Sequence, residues 1–174
     1  MSQSKVIATC GVMAALGVVI MIIGGVLGIG MYASPMIVGF CLIPIGEKYG
    51  RKYQVYLWIV ISILSFMLVP DIEQNLMFLC LFGLYPILYP YFQKLPKGVR
   101  VIAKLAFFNT AVIGLEWLVM KVLMPEIMAT EVLVVLLIAA NLMLLGYDWL
   151  IPRSEYVINR YVQLFTGKGK KKSK

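Results

Sequence analysis

Histidine is absent from this chain of 174 residues. That removes the commonest general base and metal ligand. Charge is scarce too, with Asp, Glu, Lys and Arg making up 14% of the residues. Cysteine occurs three times, as Cys10, Cys41 and Cys80, each inside an apolar run. An odd count without ligand spacing gives neither a disulfide framework nor a zinc site. The three thiols are read as small buried hydrophobes. No glycine-rich phosphate loop precedes a lysine. With no histidine, and no Ser–Lys pair at a shared depth, no nucleophile–base pair can be assembled. The sequence predicts no enzyme, no cofactor and no metal.

What is present is apolar. Hydrophobic residues make up 61% of the chain, and the mean hydropathy is +0.91. A soluble domain of this size cannot hide that much apolar surface. The expected solvent is therefore lipid, and the expected fold an all-α integral membrane protein. The first apolar run is too long for a cleavable signal peptide and shows no small-residue cleavage site. Residues 1–150 are expected to form one transmembrane domain, and 151–174 a cytoplasmic appendage.

Six apolar runs predict six spans. They cover Val6–Gly30, Met31–Gly46, Tyr53–Val69, Leu76–Phe92, Val99–Met120 and Glu131–Leu150. The second is short and carries Ser34-Pro35 and Pro44, so a tilted or broken helix is expected. The fourth carries Tyr85-Pro86 and Tyr89-Pro90, and two prolines remove backbone donors and kink a helix. Basic residues cluster at Lys5, at Lys48, Arg51 and Lys52, at Lys94, Lys97 and Arg100, and in the C-terminal tail. The turns on the other side hold Asp71, Glu73 and Glu126, with Lys121 as their one base. The positive-inside bias then puts both termini in the cytoplasm of a multi-pass, bacterial plasma-membrane protein. Arg153–Phe165 has the spacing of an interfacial amphipathic helix. The lysines of Gly167–Lys174 have no interleaved aromatics, which suits anionic lipid and not nucleic acid.

Polar residues inside the fifth and sixth runs mark a candidate pocket. Asn109 and Glu116 lie seven residues apart, close to two helical turns, and share a face with Val112 and Ile113. A carboxylate at that depth costs several kcal/mol unless it is paired, protonated or wet. Asn141 lies in the middle of the sixth run and Tyr85 in the fourth. The expected substrate-binding residues are Asn109, Glu116, Asn141 and Tyr85, in a cavity under the Gly28–Tyr32 turn. A structural alternative stays open: the two asparagines hydrogen-bond across helices, and Glu116 snorkels or pairs with Lys121. Gly11 and Ala15, four apart on the first helix, form a small-residue face for internal packing or for docking a membrane partner.

The segment Ala8-Thr9-Cys10-Gly11-Val12-Met13-Ala14-Ala15-Leu16-Gly17, the segment Ser34-Pro35 through Gly46, six short helices and basic inner loops resemble one family. It is the substrate-binding S components of energy-coupling factor (ECF) vitamin transporters. The resemblance is architectural and spans about Lys5 to Leu150. In that family an Ala-x-x-x-Ala surface on the first helix docks on a coupling subunit; here Gly11 and Ala15 keep the smallness but not the identity. The resemblance implies a subunit that binds a vitamin-like nutrient outside and topples in the membrane, driven by a coupling subunit and ATPases on other chains. A second reading remains open: a non-transporting scaffold similar to the rod-shape-determining membrane subunit of bacterial cell-wall machinery.

Overall fold

The computed structural model describes residues 3–27, 32–122 and 137–153, with no account of the side chains of 119–122. All the regular secondary structure among the described residues is helical. Helix α1 is Gln3–Leu27, α2 Ala33–Tyr49 and α3 Arg51–Leu68. Helix α4 (Ile72–Met77) runs through a π-helical turn at Phe78–Phe82 into α5 (Leu84–Phe92), and α6 is Lys97–Val122. A further helix, α7, covers 137–153. The start of the expected sixth run, most of the connector before it, residues 28–31 and the expected tail helix beyond Arg153 lie outside the described residues.

Among the described residues three helices are long and apolar enough to cross a bilayer: Gln3–Leu27, the continuous rod Ile72–Phe92, and Lys97–Leu118. The chain is thus a membrane protein by its helices. Helices α2 and α3 have 17 and 18 residues. At 1.5 Å per residue they reach about 25–27 Å, just short of a ~30 Å hydrocarbon core.

Helix α1 shows why lipid suits this chain. Ala14, Gly17, Val18, Met21 and Gly24 are buried at helical spacing. On the other side Ile7, Val12, Leu16, Val19, Ile23 and Val26 are exposed. A helix apolar all round needs a nonpolar surrounding on both sides. Gly17 makes the junction of the first three helices tight, since a Cβ there would sit 3.0 Å from Val38 and 3.1 Å from Ile61.

The expected basic loop between the second and third runs is largely absent. Helix α2 continues through Glu47, Lys48 and Tyr49, and α3 begins at Arg51, so Gly50 alone joins them. Gly50 has φ 98° and ψ 162° and donates its N–H to the Gly46 carbonyl at 3.1 Å. That backbone region is nearly glycine-only, so one residue turns the chain. Pro44 sits inside α2 without ending it.

The fourth run also begins earlier than expected. The Asp71 carboxylate accepts the N–H groups of Glu73 (3.0 Å) and Gln74 (3.3 Å), capping a helix that starts at Ile72. The departure from α-geometry lies ahead of the prolines, where Gly83 N–H bonds the Phe78 carbonyl at 2.8 Å, five residues back. Pro86 has no N–H to give the Phe82 carbonyl. The Tyr147 hydroxyl of α7 donates to that oxygen instead, at 3.0 Å. Gly39 of α2 makes room, since a Cβ there would collide with the Tyr147 hydroxyl and the Phe82 carbonyl.

Two apolar clusters result. One joins α1, α2 and α3 through Val18, Met21, Val38, Leu42, Leu57 and Ile61. The other joins the broken rod, α6 and α7 through Phe82, Tyr85, Phe108, Val112, Leu144 and Tyr147. Tyr147 is its centre, with ring centroids 4.6 Å from Phe40, 5.5 Å from Phe82 and 5.6 Å from Tyr85.

Candidate functional site

The four expected substrate-binding residues fall in three places, not in one shared cavity. Asn109 and Asn141 meet each other. Asn141 Nδ2 donates to Asn109 Oδ1 at 2.9 Å, and Asn109 Nδ2 returns a bond to Asn141 Oδ1 at 3.3 Å. Each also donates to the carbonyl four residues back, Leu105 at 2.9 Å and Leu137 at 2.8 Å. The pair uses up its own donors and clasps α6 to α7. Such a clasp is worth on the order of 1 kcal/mol in a membrane.

Tyr85 belongs to a buried ionic cluster. Its hydroxyl donates to Asp148 Oδ1 at 2.7 Å. The same oxygen takes an ion pair from Lys104 Nζ. Lys104 is 6% exposed, and its ammonium lies 4.8 Å from the centroid of the Tyr89 ring. Three helices therefore converge on one carboxylate. Neither Lys104 nor Asp148 stood among the expected site residues. The signal for both was a single charge inside an apolar run, the same signal that marked Glu116.

Glu116 stands apart. It lies on α6 beside Val112 and two turns beyond Phe108, and it is 6% exposed. Among the described residues its carboxylate has no hydrogen-bond or ion-pair partner. It opens on a cavity of about 50 Å³ walled by Met77, Leu81, Phe108, Val112 and Ala140, with Tyr32 over it. That volume holds a few water molecules, against roughly 300–1,000 Å³ for the pocket of an organic ligand. Tyr32, in the turn ahead of α2, donates its hydroxyl to Glu73 Oε1 at 2.8 Å. Burial, then this bond, then the negative charges of Glu73, Glu116 and Asp71, push the Tyr32 phenol well above its ordinary range. It therefore remains a neutral donor held among three carboxylates.

Gly11 and Ala15 are both exposed on α1. Gly11 lies in an apolar groove of about 430 Å³ between α1 and α3, with Ala14, Tyr53, Leu57 and Val60. A Cβ at Gly11 would meet nothing within 4 Å. The groove is therefore open, and the small residues that pack internally are instead Ala14, Gly17 and Gly24.

Among the described residues no three His, Cys, Asp or Glu side chains gather at metal-binding distance. Comparison with family models, with curated proteins and with solved structures gave no match.

Proposed function

We propose that the protein is a membrane solute-binding subunit. It takes a small nutrient bearing an amino or other hydrogen-bond-donating group, and it works with a coupling membrane subunit and ATPases on separate chains. The observation that carries this reading is Glu116: a buried carboxylate, without a partner among the described residues, facing a cavity in an apolar chain. A bilayer-embedded ionisable group of this kind marks a ligand or ion site by default. The carboxylates around Tyr32 favour a cationic group there. Tyr32 acts as the cap, and its displacement enlarges the cavity for a vitamin-sized solute.

The reading takes six spans with both termini cytoplasmic, in a bacterial plasma membrane. Helices α2, α3 and α7 then serve as the short spans beside the three long ones. The groove at Gly11, with Ala15 nearby, is the docking face for the coupling subunit. No nucleic acid is involved.

The test is retention of solute. Small molecules extracted from the purified full-length protein should include a cationic or donor-bearing solute by mass spectrometry. Glu116→Gln should lower its occupancy about tenfold or more, since a charge-assisted bond is lost. An empty wild-type protein, or equal occupancy in Glu116→Gln, sinks the proposal. The scaffold reading draws on the small cavity and the open Gly11 groove. Recovery of cell-wall synthesis proteins in a pulldown, in place of ATPases and a coupling subunit, would favour it.

A further inference from the structure

We propose a second site, independent of Glu116, at the basic end of the bundle: a pocket for a phosphate group where α2 turns into α3. The pocket has a volume of about 290 Å³ and is lined by Gly46, Glu47, Arg51, Gln54, Tyr89 and Ile151, among others. Its decisive feature is Gln54. That residue is 5% exposed, yet its carboxamide makes no hydrogen bond among the described residues, and it lines the pocket. The carboxamide reaches the pocket, so whatever fills the pocket, water or a ligand, supplies its hydrogen bonds. Gly46 exists in this arrangement to make room for it. A Cβ there would run into the carboxamide, with Gln54 Nε2 3.1 Å away.

The charge around the pocket selects the ligand. The Arg51 guanidinium lies 4.4 Å from the centroid of the Tyr91 ring and has no carboxylate partner among the described residues. The ring holds one face of the guanidinium, and its N–H edge remains for an anion. Helix α3 begins at Arg51 with no side chain capping it at Gly50. The negative end of α2 lies at the same turn, so the two helix ends offset each other there and the side chains decide the selection. Glu47 also lines the pocket, and it has an interaction of its own. Arg51 offsets its charge inside the pocket, and Lys48, next to Glu47 in the chain, adds a second positive charge. A planar donor fork and an amide donor together match a phosphate. The apolar remainder of the wall suits whatever the phosphate is attached to. The phosphate belongs either to an anionic lipid headgroup or to a free, soluble phosphate, and the experiment separates the two.

Full-length protein is placed in nanodiscs of phosphatidylcholine alone, or of phosphatidylcholine with phosphatidylglycerol. Inorganic phosphate binding is measured by calorimetry in the first, and retained phosphatidylglycerol by native mass spectrometry from the second. Arg51→Gln and Gln54→Leu should each weaken the bound species about tenfold. Lys52→Gln, which removes the same charge from an exposed position outside the pocket, should leave it unchanged. Phosphate binding in the first disc with this pattern assigns a soluble ligand. Phosphatidylglycerol retention with this pattern, without phosphate binding, assigns the headgroup. A wild-type protein that binds neither, or variants that lose no more than Lys52→Gln does, overturns the proposal. Hydrogen exchange on the wild type alone gives a second readout that needs no variant. The bound species should slow amide exchange across residues 46–54, and no slowing there refutes the site.

Discussion

Lys104 and Asp148 are the pair on which the interior of the second cluster depends. The ammonium is almost wholly enclosed, whereas the Asp148 side chain is 34% exposed. Removing one partner of an enclosed pair leaves the other charge without compensation. Lys104→Met should therefore lower stability by on the order of 2 kcal/mol, less than for a fully enclosed pair, because Asp148 keeps some access to water. The double variant Lys104→Met/Asp148→Leu should recover part of that loss, the Tyr85 hydroxyl being left without its acceptor. Thermal unfolding in detergent, followed as a double-mutant cycle, checks both. A double variant that falls as far as the sum of the singles would show that the pair does not act as a unit. This cluster was not legible beforehand. Lys104 and Asp148 are 44 positions apart, and no local spacing connects them. Glu116 was legible as a lone carboxylate in an apolar run, but its distance from Asn141 was not, since that depends on how α6 and α7 slide against each other.

At the scale of the helix, the broken rod Ile72–Phe92 is held by a bond from outside itself. Pro86 leaves the Phe82 carbonyl open, and Tyr147 fills it. Tyr147→Phe should lower the unfolding midpoint, at a cost of about 1–3 kcal/mol for an unsatisfied enclosed carbonyl. Pro86→Ala in the Tyr147→Phe background should restore part of the loss by returning an N–H to the rod. If it restores nothing, the hydroxyl acts through packing alone. The prolines were legible as a disturbance in this rod. The site of the disturbance was not, because the π-turn at Phe78–Phe82 adjusts the register ahead of them. A basic loop was legible between the second and third runs, with Gly50 inside it. That Gly50 would suffice alone, with Glu47 to Tyr49 still helical, required its positive φ. The start at Ile72 was hidden because an acidic segment reads as a loop until Asp71 is recognised as a cap.

Over the whole molecule the apolar runs were the most legible feature, since their length and composition follow directly from bilayer thickness. Their number was less so, because α2 and α3 lie at the margin of what can span. The charges separate by end, with Asp71 and Glu73 at one side and Lys48, Arg51, Lys52, Lys94 and Lys97 at the other. Six spans with inward termini make a specific expectation. In whole cells of a version lacking Cys10, Cys41 and Cys80, a cysteine placed at Glu73 should react with a membrane-impermeant maleimide. A cysteine at Lys52 should react only after the membrane is opened. Labelling of both from outside would break the topology.

The hydroxyl that closes the Phe82 carbonyl comes from a helix made after the rod it completes. Until residue 147 has left the ribosome and entered the bilayer, that oxygen faces hydrocarbon or borrowed water. The fourth segment thus cannot reach its final state as it emerges, and its completion waits for the arrival of a distant piece of chain. Biogenesis of this protein should then behave as a latch thrown once, when that later helix arrives, rather than as a row of helices finished one after another.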